Sequence, residues 1–96
     1  MDKELDQTKL IISDDVVSCD LDGETAILNI ESGIYFGLDP VGTKIWNSLK
    51  EPCKISDLVD MILSEYDVDE ERCKNDVIEL INNLKENGLA KVNESN

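Results

Sequence analysis

Between residues 16 and 38 the apolar residues fall in short β-branched or alternating runs separated by turn residues. From residue 40 onward they recur at helical spacing instead. Val16 to Leu21 predicts a first strand, ended by Asp22-Gly23. That dipeptide suits a two-residue type I′ turn, which needs positive φ at both central positions. Thr25 to Ile30 predicts a second strand, with Ala26, Leu28 and Ile30 on one face. Glu31-Ser32-Gly33 makes the next turn, and Ile34 to Leu38 predicts a third strand. Ile34, Phe36 and Leu38 share one face of it, and Tyr35 and Gly37 the other.

Asp39-Pro40 reads as a helix cap followed by proline at the first helical position. Val41, Ile45, Trp46 and Leu49 predict helix one, running to about Lys50 and stopped by Pro52. Ser56 is the expected cap of helix two, whose stripe is Leu58, Val59, Ile62, Leu63 and Tyr66. Asp69 is the expected cap of helix three, with Glu70 and Glu71 favoured by the dipole in its first turn. Cys73, Val77, Leu80, Ile81 and Leu84 predict its buried face. Gly88 ends it as a left-handed cap, and Leu89 closes the accompanying apolar contact. Leu89 to Val92 suits one short extended piece. Three strands and three helices must cover each other's apolar faces, so the expected class is α+β, a three-stranded antiparallel meander followed by three helices. Helices two and three, joined by a short connector, suit a helix-turn-helix pair. The expected domain spans residues 14–92, flanked by a flexible tail at 1–13 and a polar tail at 93–96. Within the first tail, Leu10-Ile11-Ile12 suits either the start of a strand or a segment docked on the core.

The chain has 96 residues, enough for one modest core and one domain. Lys and Arg number 9 against 22 Asp and Glu, a net charge of −13. That balance argues against nucleic acid and against an anionic membrane surface, both of which need basic side chains. No apolar run approaches the length needed to span a bilayer, and the charged start, Met1 to Asp6, has no secretion-signal pattern. A soluble cytoplasmic protein is expected. There is no histidine. The commonest general base and the commonest nitrogen ligand of zinc are therefore missing. Cys19, Cys53 and Cys73 are far apart in sequence, which suits reduced thiols and makes a poor zinc site. No metal and no cofactor are expected. The acidic groups around Asp67, Asp69, Glu70 and Glu71 break the calcium-loop pattern and read as caps and solvated surface. Cys73 has no base of the usual kind to activate it and reads as core packing. Ser48 lies too late in helix one for an acyl-carrier attachment site. No enzyme activity is expected. A DNA-reading role for helix three meets an obstacle in charge, since Glu70 to Asn87 holds five acidic residues against three basic ones.

One feature points to a partner. A short meander ends in an edge strand, and Ile34-Tyr35-Phe36-Gly37-Leu38 carries no Lys, Pro or inward charge to blunt it. Left open, such an edge is a template on which an extended peptide adds a strand. The alternative is that this strand is central, or covered by the N-terminal segment.

The run Gly33 to Trp46 (GIYFGLDPVGTKIW) resembles the PqqD-like family, as does Tyr66 to Val77 (YDVDEERCKNDV) closed by Leu84, Gly88 and Leu89. The similarity covers about residues 14–92. It implies a winged-helix-turn-helix-like fold and a role in recognising ribosomally made, post-translationally modified peptides. It also implies that the leader of the precursor lies as an added strand along the third strand, Ile34, Tyr35, Phe36, Gly37 and Leu38. The other wall would then be helix three around Cys73, Asp76, Val77 and Leu80. The protein would be a non-enzymatic peptide chaperone delivering that leader to a modifying enzyme. The Tyr66-Asp67-Val68-Asp69 stretch with Cys73 looks most like stand-alone members of lasso-peptide clusters, where the partner is a leader peptidase. In pyrroloquinoline quinone clusters it is a radical-SAM enzyme, and Gly37 and Asp39 depart from the commoner residues there. The rival is a winged-helix transcription factor or antirepressor. The sequence leaves monomer and dimer both open.

Overall fold

A computed structural model describes residues 8–93. The expected tail residues 1–7 and 94–96 lie outside the described residues. The elements are β1 (Lys9–Ile12), β2 (Val16–Leu21), β3 (Glu24–Asn29), β4 (Tyr35–Leu38), α1 (Pro40–Ser48), β5 (Cys53–Lys54), α2 (Ile55–Glu65), α3 (Glu70–Glu86) and β6 (Ala90–Val92). The α+β class stands: the antiparallel meander β2-β3-β4 precedes the three helices. A second small sheet, ordered β5-β1-β6, is not foreseen by the sequence reading. No helix among the described residues is long and apolar enough to cross a membrane.

Local chemistry explains most boundaries. Asp22 and Gly23 adopt φ of 58° and 88°, as the two-residue turn between β2 and β3 requires. The Asp39 carboxylate accepts the Gly42 N–H at 2.7 Å and caps α1, with Pro40 as its first residue. The Asp69 carboxylate accepts the Arg72 N–H at 3.0 Å and caps α3. Gly88, at φ 72°, turns the chain out of α3, and the Leu89 N–H returns to the Leu84 carbonyl at 2.8 Å.

Two expectations are corrected, and the faces of β3 are assigned. Residues 9–12 are not tail: β1 pairs antiparallel with both β5 and β6, and Leu10 is buried. Ser56 does not cap α2. The chain stays extended through Lys54, which pairs with Lys9, so the helix starts at Ile55 and Asp57 accepts the Lys54 N–H. On β3 the buried face is Thr25, Ile27 and Asn29, with Ala26 and Leu28 turned to the more open side.

The core joins Ile27 and Leu38 of the meander to Trp46 and Leu49 at α1, Leu58 and Ile62 of α2, and Ile81 and Leu84 of α3. Two buried polar residues on β3 find partners. The Thr25 hydroxyl donates to the Thr43 hydroxyl of α1 at 2.9 Å, and the Asn29 amide donates to the Asn87 carbonyl at the end of α3.

Candidate peptide-binding groove

Among the described residues the strand β4 pairs only with β3 and forms one edge of its sheet. The Asn29 N–H donates to the Ile34 carbonyl at 3.0 Å, which fixes the phase of the ladder. By antiparallel alternation Phe36 and Leu38 bond to β3 opposite Ile27 and Thr25. The N–H and C=O of Tyr35 and Gly37 then point away from β3, along the open edge. No strand among the described residues covers them.

Beside that edge runs a groove of about 940 Å³. Phe36, Gly37 and Leu38 form one wall, and Cys73, Asp76, Val77 and Leu80 on α3 form the other. The spacing 73, 76, 77, 80 places these four on one helix face. Ile45 of α1 and Ile62 of α2 contribute apolar side chains between the walls. The groove therefore offers backbone hydrogen-bonding groups on one side and an apolar trough on the other.

Of the nine residues expected at the site, seven line this groove. Ile34 precedes β4 and is 40% exposed, and Tyr35 is 74% exposed with its side chain on the opposite face of the sheet. Neither lines the groove, although the backbone of Tyr35 faces the open edge. Sequence reasoning missed the lining residues at Val41, Tyr66, Val68, Arg72 and Asn83. Arg72, four residues before Asp76, and Asn83, three after Leu80, continue the α3 face, a signal the spacing contained.

The electrostatics are one-sided. Asp39, Asp67, Asp69, Asp76 and Glu79 line the groove, and among the described residues Arg72 is its one basic lining residue. Burial pushes the Cys73 thiol above the ordinary thiol range, and Asp76 and Glu70 push it further. The result is a neutral, apolar-behaving side chain in the groove wall. The described lining thus combines apolar side chains, carboxylates and one guanidinium.

The sequence profile of the family described as Coenzyme PQQ synthesis protein D (PqqD) matches residues 24–90. A solved structure described as TbiB1 in complex with the TbiA(beta) leader peptide is similar at a TM-score of 0.78 and 36% identity, over 90% of this chain and 98% of that one. A second, a lasso peptide synthetase B1 complexed with the leader peptide, is similar at a TM-score of 0.76 and 26% identity, over 85% of this chain and 96% of that one. No curated protein matches the chain.

Proposed function

We propose that this chain, which belongs to the PqqD family, captures the leader segment of a ribosomally made precursor peptide by strand addition along β4. The observation that carries the reading is the open edge of β4 lying directly beside an apolar groove. Leader peptides bound to two similar chains support it. The backbone of Tyr35 and Gly37 would supply the strand pairing, and Phe36, Leu38, Val77 and Leu80 would take the alternate side chains of the visitor.

Ordering a disordered leader costs several kcal/mol. The apolar trough is what offsets that cost. The protein acts as a cytoplasmic chaperone without catalysis of its own and holds the precursor for a modifying enzyme. The likeness to lasso synthetase B1 favours a leader peptidase over a radical-SAM enzyme as that partner.

The test is fluorescence anisotropy with a fluorescein-labelled synthetic TbiA(beta) leader, the peptide bound by a similar chain. Saturable binding is expected, and Phe36→Asp should weaken it by about tenfold or more, because a carboxylate replaces an apolar anchor. A random DNA duplex in the same assay at low salt should show no saturable binding. Unchanged leader affinity in Phe36→Asp removes the groove from the reading.

A further inference from the structure

Asn29 is polar and 7% exposed, yet it does not line the groove. Its side chain is fully engaged. Oδ1 accepts the Glu31 N–H at 3.0 Å and the Ser32 N–H at 3.2 Å, shaping the turn that leads into β4. Nδ2 donates to the Asn87 carbonyl at 3.0 Å and to the Gly88 carbonyl at 3.4 Å, where α3 ends. Its own backbone pairs with Ile34 and receives the Gly33 N–H. One side chain thus joins the turn that delivers one groove wall to the terminus of the helix that forms the other. Among the described residues no other side chain hydrogen-bonds the meander to α3.

A second clamp stands four residues away on the same face of β3, where Thr25 bonds Thr43 of α1. The two clamps tie opposite ends of the central strand to different helices. The Thr25 clamp sets β3 against α1, on the side where β4 ends opposite Thr25. The Asn29 clamp sets β3 against α3, on the side where β4 begins. Apolar packing has little directional preference, whereas a hydrogen bond fixes distance and angle. The spacing of the two walls at the entry to β4 is therefore held by Asn29.

We propose that Asn29 is a positioning residue for peptide binding: it fixes the distance between β4 and α3 without touching the peptide. This rests on the reading of the groove as the leader site. Asn29→Asp separates its two roles. The carboxylate still accepts from the turn, but it cannot donate to Asn87 and Gly88, and it places negative charge against carbonyls at a helix C-terminus.

The test measures the affinity of the same labelled leader at a temperature where Trp46 fluorescence shows every variant folded. Asn29→Asp should raise the dissociation constant about tenfold. Leu80→Ala, which trims the α3 wall, should weaken binding too. The double variant decides the matter. If Asn29 works by holding that wall against the peptide, the two losses overlap and the double variant binds better than the product of the single effects predicts. Multiplying effects, or unchanged affinity in Asn29→Asp, would falsify the positioning role. Should Asn29→Asp fail to fold, Gly88→Ala presses on the same contact, its methyl 2.8 Å from Nδ2, while also straining the backbone at φ 72°, so it is read only where Trp46 fluorescence shows it folded. The same overlap with Leu80→Ala is then expected, and its absence again overturns the role. Loss of binding in Phe36→Asp combined with either negative result sinks the Asn29 role alone. Intact binding in Phe36→Asp sinks both.

Discussion

Cys73 sits on α3 with 5% of its surface exposed, and it faces the groove. Burial and the neighbouring Asp76 and Glu70 keep its thiol protonated above the usual range. Cys53 is shifted the same way, by burial first and then by Asp57. A protonated and covered thiol is a poor nucleophile. Cys19, on β2, is exposed. Limiting iodoacetamide at neutral pH should therefore alkylate Cys19 first and Cys73 last, as read by peptide mass mapping. Bound leader should slow Cys73 further while leaving Cys19 unaffected, because only Cys73 lines the groove. Early labelling of Cys73, or no protection by the leader, contradicts that placement. The buried partners Thr25 and Asn29 mark the limit of a reading from residue type alone. Ala26, Leu28 and Ile30 make the more hydrophobic face of β3, yet the core takes Thr25, Ile27 and Asn29. The two polar residues enter because Thr43, Asn87 and Gly88 wait there with partners. Those partners lie 18 and 58 or more positions away, beyond any local pattern.

At the level of elements, the open edge makes a sharper demand than any side chain does. If a visiting strand bonds to β4, it must use groups that β3 leaves free, and the ladder assigns these to Tyr35 and Gly37. Gly37→Pro deletes one such N–H without taking a bond from β3. Proline is tolerated on an edge strand whose N–H faces solvent. A Cβ at Gly37 meets nothing within 4 Å, so the site has room for a side chain. The expected outcome is a thermal midpoint within a few degrees of the parent and an affinity for leader about tenfold weaker or worse. Gly37→Ala, which keeps the N–H, should lose far less. Equal loss in the two variants would mean that the edge is not where the peptide pairs. The meander and helices that build this site were legible because each carries its own period and its own punctuation, Asp22-Gly23, Asp39-Pro40, Asp69 and Gly88. The second sheet was not. Its strands are two to four residues long, too short for alternation to show. Their pairings join Leu10 to Cys53 and to Val92, contacts that only the closed core brings together. The site was legible in part for a related reason. The α3 face follows from spacing, and the turn of Tyr35 away from Phe36 and Leu38 follows from strand alternation, whereas the exclusion of Ile34 depends on where β4 begins.

Across the whole molecule, charge decides which partners reach the groove. The chain carries −13, and carboxylates outnumber Arg72 among the described charged residues lining the groove. A field of one sign repels phosphate chains over a distance of several ångströms before any contact forms, so a random DNA duplex is expected to bind far more weakly than a basic peptide does. The same field attracts a peptide with basic residues beside its apolar anchors. Such attraction acts on encounter more than on residence, since rim charges remain hydrated in the complex. Two synthetic leaders differing only in flanking Lys or Glu residues separate these effects by stopped-flow fluorescence. At low ionic strength the Lys form should associate about tenfold faster, with dissociation rates nearly equal. In about 1 M salt, where screening reaches about 3 Å, the two association rates should converge. Equal rates at low salt would mean that the carboxylates lining the groove do not steer the leader. A difference confined to dissociation would place the charges in direct, desolvated contact with the peptide and make them part of its grip.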